Sequence, residues 1–370
     1  MNNLYALIMA GGKGSRLWPK SINKRPKHSL CFDSSLSLLQ TTFDRVKGLV
    51  PPDKIFVVTT CEQEKLIRKQ LSSLKKGNLI IEPEGKNTLP CILLGAFLVR
   101  NINADSILAV FPSDHIIEPR KKFVLSLKRA AEFAERKEKI VIFGVKPDYP
   151  ETGYGYIKTS DRNPETLPCR QAGGNQKIYK VERFIEKPDL KTAEQLFKKK
   201  NLFWNAGIFA FKVSVILEET SRFAPSVFKA FKEAGLFDSR GRISPGRLRG
   251  AYKIIPSLSI DHAVLEKSSS CFMIKTDFSW SDLGSWESVS RILEKDASNN
   301  LNIGENMLHK TSNSIIINEQ NNHLVATMGL NNIIVIHTPS VTLVKERSGA
   351  QRLKELVLLL EKNKRYKRYI

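Results

Sequence analysis

Short apolar runs alternate with amphipathic stretches between Leu4 and Val145. Runs rich in β-branched and aromatic residues predict strands, which lie at Leu4–Ala10, Lys54–Thr59, Leu79–Ile81, Ser106–Phe111 and Ile140–Val145. Apolar residues at helical spacing predict helices between them, near Leu36–Val50, Glu62–Leu74, Thr88–Arg100 and Lys122–Arg136. This alternation is typical of right-handed βαβ crossovers. We therefore predict an α/β fold with a doubly wound, mostly parallel sheet.

The spacing of the apolar runs changes twice after Pro150. Further strands are predicted at Tyr154–Thr159, Ile178–Ile185 and Ala206–Phe211, with helices near Leu190–Lys199 and Val213–Arg222. We interpret them as an insertion that completes one large domain at residues 1–295. Asn- and Gly-rich turns then separate short strand-like runs at 314–317, 323–328, 333–337 and 341–344, before a helix pattern at 350–361. These runs predict a small β-rich domain with a closing helix at residues 296–370.

Composition agrees with a globular protein of this organisation. The chain has 370 residues, of which 41% are apolar and 26% are charged, and it is longer than one hydrophobic core usually grows. Its first apolar run ends at Gly11 and Gly12, too early for a signal peptide, and no run is long enough for a membrane span. No C-x-x-C pair occurs among the cysteines, which are Cys31, Cys61, Cys91, Cys169 and Cys271. We expect reduced thiols in a cytoplasmic protein with no membrane partner.

The net charge of +22 favours polyanionic partners, including nucleotide triphosphates. Lysine and arginine are spread along the chain, and the densest run is 362-KNKRYKRY-369. No nucleic-acid-binding fold motif accompanies that run, so we interpret it as a solvated tail. We therefore expect no specific nucleic-acid partner.

A glycine loop, 11-GGKGSRLWP-19, directly follows the first predicted strand. Ligands of doubly wound sheets bind at the carboxyl ends of strands, and glycines let backbone N–H groups approach a phosphate. Arg16 and Lys27 would add positive side chains. The spacing matches neither of the two commonest nucleotide fingerprints. A tight turn with a solvated arginine therefore remains an alternative at this point.

The segment 7-LIMAGGKGSRLWPKS-21, followed by 26-PK-27, resembles the N-terminal motif of the sugar-nucleotide pyrophosphorylases. Its Leu-Trp-Pro form resembles that of the GDP-mannose pyrophosphorylases, or mannose-1-phosphate guanylyltransferases. The likeness continues through ordered motifs at 82-EPEGKNTLP-90, 111-FPSDH-115, 152-TGYGYI-157, 184-FIEKP-188, 204-WNAGIF-209, 260-IDHAVLEK-267 and 279-SWSDLGSW-286. Several ordered motifs are more specific than any one alone.

The resemblance implies that GTP and mannose 1-phosphate react to give GDP-mannose and pyrophosphate. The second pKa of a phosphate monoester is about 6, so the attacking oxygen is ionised near neutrality without a general base. The reaction needs in-line positioning and positive charge instead. By resemblance, Arg16, Lys27 and Lys187 supply that charge, and Ala10, Gly11, Gly12 and Gly14 bind the nucleotide.

Mg²⁺ is the cofactor that this reaction implies. It commonly takes one or two protein carboxylates together with phosphates and waters. Asp114 follows an apolar strand in 107-ILAVFPSD-114, and the resemblance assigns this aspartate and Asp282 to the metal. Taken alone, Asp114 would be a turn-forming or N-cap residue.

The same resemblance divides the remaining site between sugar and base. It gives the sugar hydroxyls to Glu186 and Asn205, the sugar phosphate to Lys187, and close backbone approach to Gly155, while Asp261 lines or supports the sugar pocket. Asn87 and Thr88 begin a helix pattern and would recognise the base. The base segment departs from the family form, since Lys86 stands in place of arginine and Leu89 and Cys91 in place of alanines. A lysine cannot form the bidentate hydrogen bonds that arginine makes. The resemblance therefore supports guanine as the base less strongly than it supports the type of reaction.

Three alternatives stay open from the sequence. The first keeps the chemistry with another sugar 1-phosphate, such as a heptose phosphate, or another base. The second is a catalytically silent regulator that binds a nucleotide sugar, and the third is a nucleic-acid-binding protein driven by charge. Both aspartates of the predicted metal site are retained, which argues against a regulator. A homodimer is an arrangement that the sequence leaves open.

Overall fold

A computed structural model of the chain describes residues 3–12, 14–32, 35–160, 164–165 and 176–370; Cys169 lies outside them. The chain forms two compact units. The first comprises Met1–Gly11, Gln40–Ser113 and Ile117–Trp280, and the second comprises Gly12–Leu39, Asp114–Ile116 and Ser281–Ile370. Each unit has its own hydrophobic core.

The first unit is built on a nine-stranded sheet. The strands between Leu4 and Ser281 are β1 Leu4–Met9, β2 Ile55–Thr60, β3 Leu79–Glu82, β4 Ile107–Pro112, β5 Ile116–Glu118, β6 Ile140–Val145, β7 Tyr156–Thr159, β8 Ile178–Ile185, β9 Leu202–Lys212, β10 Cys271–Lys275 and β11 Ser279–Ser281. Strands β5 and β11 pair with each other in a separate two-stranded sheet. The order in the sheet is β3-β2-β1-β4-β9-β6-β10-β8-β7, and β9 also pairs with β7. The predicted α/β fold is confirmed.

Strands β1 to β4 form the parallel half of this sheet. β1 pairs in parallel with β2 and β4, and β2 pairs in parallel with β3. All six residues of β2 are buried, as expected for a strand covered on both faces. In the other half β9 runs antiparallel to β4 and β6, whereas β10 is parallel to β6 and antiparallel to β8. The insertion predicted after Pro150 therefore supplies antiparallel strands.

Helices cover this sheet. Their bounds are α1 Leu38–Lys47, α2 Glu64–Gln70, α3 Thr88–Ile102, α4 Arg120–Lys137, α5 Leu190–Phe197, α6 Val213–Phe223, α7 Pro225–Glu233 and α8 Pro245–Ile254. Every residue of α3 from Leu89 to Val99 is buried, which is typical of a helix enclosed on all sides. A Cβ atom on Gly95 of α3 would lie 2.5 Å from Leu7 Cδ2. Only glycine therefore allows this close packing of α3 on β1.

The second unit contains a small parallel β stack. Its strands are β12 Leu301–Ile303, β13 Asn306–His309, β14 Ile315–Asn318, β15 Val325–Met328, β16 Ile333–His337 and β17 Thr342–Glu346, with helices α9 Trp286–Ile292 and α10 Ala350–Lys362. β12, β14 and β16 stack in parallel, as do β13 and β15, while β17 is antiparallel to β16. Parallel strands this close in sequence are successive coils of a β-helix.

Local sequence explains these coils. Asparagines adopt left-handed backbone conformations at four positions of the coiled region, namely Asn299, Asn313, Asn322 and Asn332, a conformation that asparagine tolerates better than most residues. Isoleucines of β14 and β16 point into the core together with Leu353 and Val357 of α10. Leu17, Trp18 and Leu30 belong to the same core. The chain around the glycine loop is thus packed within the second unit. In the described part of the chain, no helix is both long and apolar enough to span a membrane.

Candidate functional site

The predicted phosphate lysine and the predicted metal aspartate form an ion pair in the second unit. Lys27 Nζ lies 2.8 Å from Asp114 Oδ2, and the Lys27 side chain is 8% exposed. The same ammonium donates a hydrogen bond to the backbone carbonyl of Asp282. Burial would raise the pKa of Asp114, but Lys27 together with His115 and His28 outweighs burial and holds the pKa below its usual value. Lys27 therefore brings both predicted metal aspartates into one group.

The Asp282 carboxylate is held by a tight turn. Its Oδ1 accepts a hydrogen bond from Gly284 N at 2.8 Å, and Ser281 Oγ accepts one from Leu283 N at 3.1 Å. A Cβ atom on Gly284 would lie 2.7 Å from Asp282 Oδ2, so this position has room only for glycine. The turn ends at α9, where Ser285 caps the helix by accepting from Ser288 N. Its geometry therefore fixes where the carboxylate lies.

Gly14 and Lys27 are packed directly against each other. Gly14 has φ +69°, and a Cβ atom there would lie 2.3 Å from Lys27 Cβ. Both the backbone conformation and the close approach therefore require glycine. His28, next to Lys27, is buried, and its burial lowers the pKa to about 4. It is neutral near pH 7. Arg16 is exposed on the glycine loop.

In the first unit, Ala10 and Gly11 lie at the carboxyl end of β1. Ala10 N donates a hydrogen bond to Val58 O of β2 at 2.8 Å, and Ala10 O accepts one from Thr59 Oγ1 at 2.8 Å. A Cβ atom on Gly11 would lie 3.9 Å from Glu82 Oε2. The Glu82 carboxylate, at the end of β3, thus faces the first glycine of the loop.

Glu82 is a candidate site residue to which the sequence interpretation gave no role. It is 4% exposed, and its Oε1 accepts a hydrogen bond from the Tyr252 phenol at 2.6 Å. Burial raises the pKa of Glu82 to about 7, although the bond from Tyr252 acts in the other direction. A carboxylate at the carboxyl end of a parallel strand was the available sequence signal. Tyr252 carried no such signal, because it comes from distant α8.

The predicted base residues stand at the N-terminus of α3. Asn87 has φ +69° and ψ −168°, and its Oδ1 accepts from Thr88 N at 2.8 Å. Thr88 Oγ1 accepts from Ile260 N at 2.9 Å, and Lys86 Nζ donates to Ile255 O at 2.8 Å. Two backbone hydrogen bonds also join this segment to Leu258. The base segment is thus tied to the chain that immediately precedes Asp261.

The predicted sugar residues of the first unit lie together. Asn205 Nδ2 donates to Asp261 Oδ1 at 3.0 Å, and Asn205 N donates to Gly155 O at 2.8 Å. A Cβ atom on Gly155 would lie 2.6 Å from Glu186 Oε2. Lys187 forms an ion pair with Glu186, and its side chain is 61% exposed. The structure therefore assembles all five predicted sugar residues.

One carboxyl group of this cluster has a raised pKa. Burial, and next the negative charge of Glu186, raise the pKa of Asp261 to about 6. Next to Gly155 and Asn205 in sequence, the rings of Tyr154 and Trp204, and of Tyr154 and Trp280, pack edge to face at 5.2 and 5.0 Å. Aromatic packing thus adjoins a carboxyl group, Asp261, that can protonate near neutrality. Trp286, the last residue of the motif 279–286, is not part of this ring group. It lies in the core of the second unit, where its Nε1 donates to Trp18 O at 3.2 Å.

Non-glycine residues with left-handed backbones occur in three of the site segments. They are Asn87 at φ +69°, Lys187 at +44° and Leu283 at +47°. Such conformations cost about 1–3 kcal/mol each and persist where the surrounding contacts impose them. Each lies in a segment with a site carboxylate or amide, so the fold holds these groups in fixed positions at a cost in stability.

The donor set around Lys27 is suitable for a hard divalent cation. The Asp114 carboxylate and the Asp282 backbone carbonyl both contact the Lys27 ammonium, and magnesium prefers oxygen ligands of these kinds. Within the described ranges, no group of three or more His, Cys, Asp or Glu side chains could hold a metal. The site therefore fits a cation that shares its ligands with a substrate, rather than a cation enclosed by protein.

Comparisons with known proteins show the family to which the chain belongs. Residues 5–299 match the family model of nucleotidyl transferases, and residues 304–360 match the model described as a MannoseP isomerase/GMP-like beta-helix domain. Over 98% of its length the chain is 37% identical to mannose-1-phosphate guanylyltransferase 2 of Escherichia coli O157:H7, and it covers 74% of that protein. The chain belongs to the mannose-1-phosphate guanylyltransferase family. Mannose-1-phosphate guanylyltransferase of Salmonella muenchen is 34% identical over 99% of the chain.

A solved structure supports membership of the mannose-1-phosphate guanylyltransferase family through the fold. A protein of Thermus thermophilus, described as a mannose-1-phosphate geranyltransferase, matches with a TM-score of 0.84 and 30% identity. The match covers 97% of this chain and 99% of that one. The family resemblance inferred from the sequence motifs is therefore confirmed, and the coiled C-terminal region is shared as well.

Proposed function

We propose that this member of the family transfers a guanylyl group from GTP to mannose 1-phosphate, which yields GDP-mannose and pyrophosphate. The observation that carries the mechanism is the Lys27 ammonium, held between the Asp114 carboxylate and the Asp282 carbonyl. Phosphoryl transfer depends on fixed positive charge beside metal-binding carboxylates. This arrangement supplies both within one unit.

The reaction balances without a general base. An ionised phosphate oxygen of mannose 1-phosphate attacks the α-phosphorus of GTP, because that phosphate has a second pKa of about 6. The new oxygen–phosphorus bond forms as the bond between the α-phosphorus and its bridging oxygen to the β-phosphorus breaks. Pyrophosphate leaves with the bridging oxygen. The protein contributes orientation and charge rather than proton transfer.

In this proposal one group of residues acts on the triphosphate. Lys27 and the exposed Arg16 bind phosphate oxygens, and backbone N–H groups at Gly12 and Gly14 approach them. Asp114 and Asp282 hold a divalent metal, for which we propose Mg²⁺. A bound metal would neutralise charge on the phosphates. The rigid turn at Asp282 supports this assignment, because a carboxylate with a fixed orientation loses little entropy on binding.

Other residues act on the base, the sugar and the start of the triphosphate. Ala10 and Gly11 contribute to nucleotide binding, and Asn87 and Thr88 position the base segment. Glu82 can accept hydrogen bonds from the N–H groups of a guanine edge, a role supported by its position facing Gly11.

The sugar is bound by the cluster around Asp261. Asn205, Glu186 and Asp261 bind hydroxyl groups, the backbone at Gly155 approaches the ring, and Lys187 binds the sugar phosphate. The exposure of Lys187 supports its role, because its ammonium is accessible to a ligand.

Three further proposals concern the whole chain. A domain boundary at residues 295 and 296 is supported by the change of family model between residues 299 and 304. A cytoplasmic location is supported by the described cysteines, which are free thiols. For the assembly we propose a homodimer, which the mass in solution would test.

Pyrophosphate release tests the function directly. The purified protein is assayed with Mg²⁺ and each combination of four nucleoside triphosphates with several sugar 1-phosphates, including mannose and heptose forms. Selective turnover of GTP with mannose 1-phosphate is expected. Turnover of another pair would keep the mechanism and change the substrate. Binding of nucleotide sugar without any turnover would instead identify a silent regulator.

A further inference from the structure

One carboxylate of the β-helix binds both ends of the turn that follows the glycine loop. Glu319 Oε1 lies 2.9 Å from Lys20 Nζ, and Glu319 Oε2 lies 2.7 Å from an Arg25 guanidinium nitrogen. Arg25 Nε also donates to the backbone carbonyl of Lys20 at 3.0 Å. Two backbone hydrogen bonds between Ile22 and Arg25, at 3.0 and 2.9 Å, close the turn. The three residues therefore form a closed ring of polar contacts, which the Lys20 backbone carbonyl completes.

Glu319 is itself firmly placed. It directly follows β14, and its backbone N donates to His337 O of β16 at 2.9 Å. Its side chain is 14% exposed. Burial would raise the pKa of Glu319, but Lys20 and Arg25 together hold it below its usual value. The carboxylate is thus charged at neutral pH, and its two partners compensate its burial.

The Lys20–Arg25 turn connects the two positively charged groups of the proposed triphosphate site. Arg16 precedes it and Lys27 follows it. On the N-terminal side, Trp18 Nε1 donates to the carbonyl of Tyr369 at 2.8 Å. On the C-terminal side, Lys27 packs against Gly14. Displacement of the turn would therefore change the relative positions of Arg16 and Lys27.

We infer that Glu319 is a positioning residue that holds the Lys20–Arg25 turn, and with it Arg16 and Lys27, in the conformation that binds the nucleotide triphosphate. The inference rests on the proposed function of these two residues. The β-helix thereby contributes to nucleotide binding through the turn, because the Glu319 carboxylate directly follows its strand β14. Loss of Glu319 then weakens GTP binding while the sugar cluster of the first unit is unaffected.

The test combines Glu319→Gln with two independent readouts. Steady-state pyrophosphate release gives KM for GTP and for mannose 1-phosphate separately. We expect KM for GTP to rise about tenfold, because loss of the charged contacts lets the turn and its two phosphate-binding residues move, with KM for mannose 1-phosphate within about twofold of wild type. Limited trypsin digestion of the full chain, followed by mass spectrometry, reports cleavage after Lys20 and Lys24. Faster cleavage at these bonds is expected in the variant.

Two further variants make the result decisive. Arg25→Gln removes the same contact from the loop side, and Arg25 is 41% exposed, so this variant should fold and reproduce both effects. Glu64→Gln breaks an exposed helical ion pair with Arg68 and should change neither readout. Wild-type cleavage rates and an unchanged KM for GTP in both loop variants would overturn the inference. If the wild-type protein released no pyrophosphate, the proposed function would fail, while the digestion would still report whether Glu319 holds the turn.

Discussion

Lys27 Nζ lies 2.8 Å from Asp114 Oδ2, and both side chains are less than one-third exposed. Removal of one partner from such a pair leaves an uncompensated charge, whereas removal of both charges avoids that penalty. A comparison of single and double variants therefore separates the contribution of this ion pair to stability from its contribution to the reaction.

We predict that Lys27→Met destabilises the protein by about 3 kcal/mol and abolishes pyrophosphate release. The double variant Lys27→Met/Asp114→Asn should recover most of the stability, because no unpaired carboxylate remains, but no activity. Urea unfolding and pyrophosphate release measure the two effects. Recovery of turnover in the double variant would contradict a role for Lys27 in the reaction.

Asp282→Asn should lower kcat by at least about a hundredfold while the fold is retained. Asparagine keeps an oxygen that can accept the hydrogen bond from Gly284 N, so only the charge is lost. The assay is pyrophosphate release over a series of Mg²⁺ concentrations, with circular dichroism as the check on folding.

Asp296→Asn is the matched control for that experiment. Asp296 also accepts backbone N–H groups in a turn of the second unit, from Ser298 and Asn300, but lies outside the proposed site. It should leave kcat unchanged. Near-wild-type turnover by the Asp282 variant would remove this residue from the metal site.

The regular elements of the first unit could largely be predicted from sequence, because their apolar periodicity is strong. The strands at Ile140–Val145 and Ile178–Ile185 have the predicted bounds. Helix α3 begins at the predicted residue, and the other ends of α3 and α4 differ from their predicted positions by one or two residues. The apolar pattern did not predict β10, although its run CFMIK is largely apolar, nor α7 and α8, and in the second unit it did not predict α9. Short apolar runs do not distinguish a buried strand from a helix.

The second unit shows a different limit. Its Asn-rich turns and the later strands were predicted, but β12 and β13 were not, because three or four residues with partly exposed side chains carry little periodicity. The packing of Trp18 with α10 could not be inferred from either segment alone. The same reason explains why Glu319 was missed: its partners are nearly three hundred residues away in sequence.

The predicted sugar residues were brought together by the fold, as the motifs implied. Motif order predicts which residues share a site, but not which contacts hold them. The bond between Asn205 and Asp261, and the close approach of Gly155 to Glu186, required the structure. Their roles in binding the sugar stay predictions until they are tested.

Gly155→Ala tests the sugar cluster with a single added methyl group. The new Cβ would lie 2.6 Å from Glu186 Oε2 and 2.9 Å from the Phe184 ring, so the carboxylate must move. We expect KM for mannose 1-phosphate to rise about tenfold with little change in KM for GTP. Gly250→Ala, in α8, is the matched control, because its Cβ would meet no other described atom within 4 Å. Equal kinetics in the two variants would remove Gly155 and Glu186 from the sugar site.

The Glu82 carboxyl predicts a specific pH dependence of stability. Its pKa is raised from 4.5 to about 7 in the folded protein, so the folded state binds more protons than the unfolded state between these values. The free energy of unfolding should therefore fall as the pH rises from about 5 to 8, by about 3 kcal/mol from this group.

Glu82→Gln isolates that contribution, because glutamine can still accept the hydrogen bond from Tyr252 but does not titrate. The stabilities of the two proteins should be similar near pH 5, and the variant should be more stable by up to about 3 kcal/mol at pH 8. Urea unfolding at several pH values measures the difference, in which the titrations of Asp261 and other shared groups cancel. A difference that stays constant with pH would mean that Glu82 ionises normally. Its carboxylate would then be fully charged at neutral pH, and the hydrogen bond from Tyr252 would balance the effect of burial.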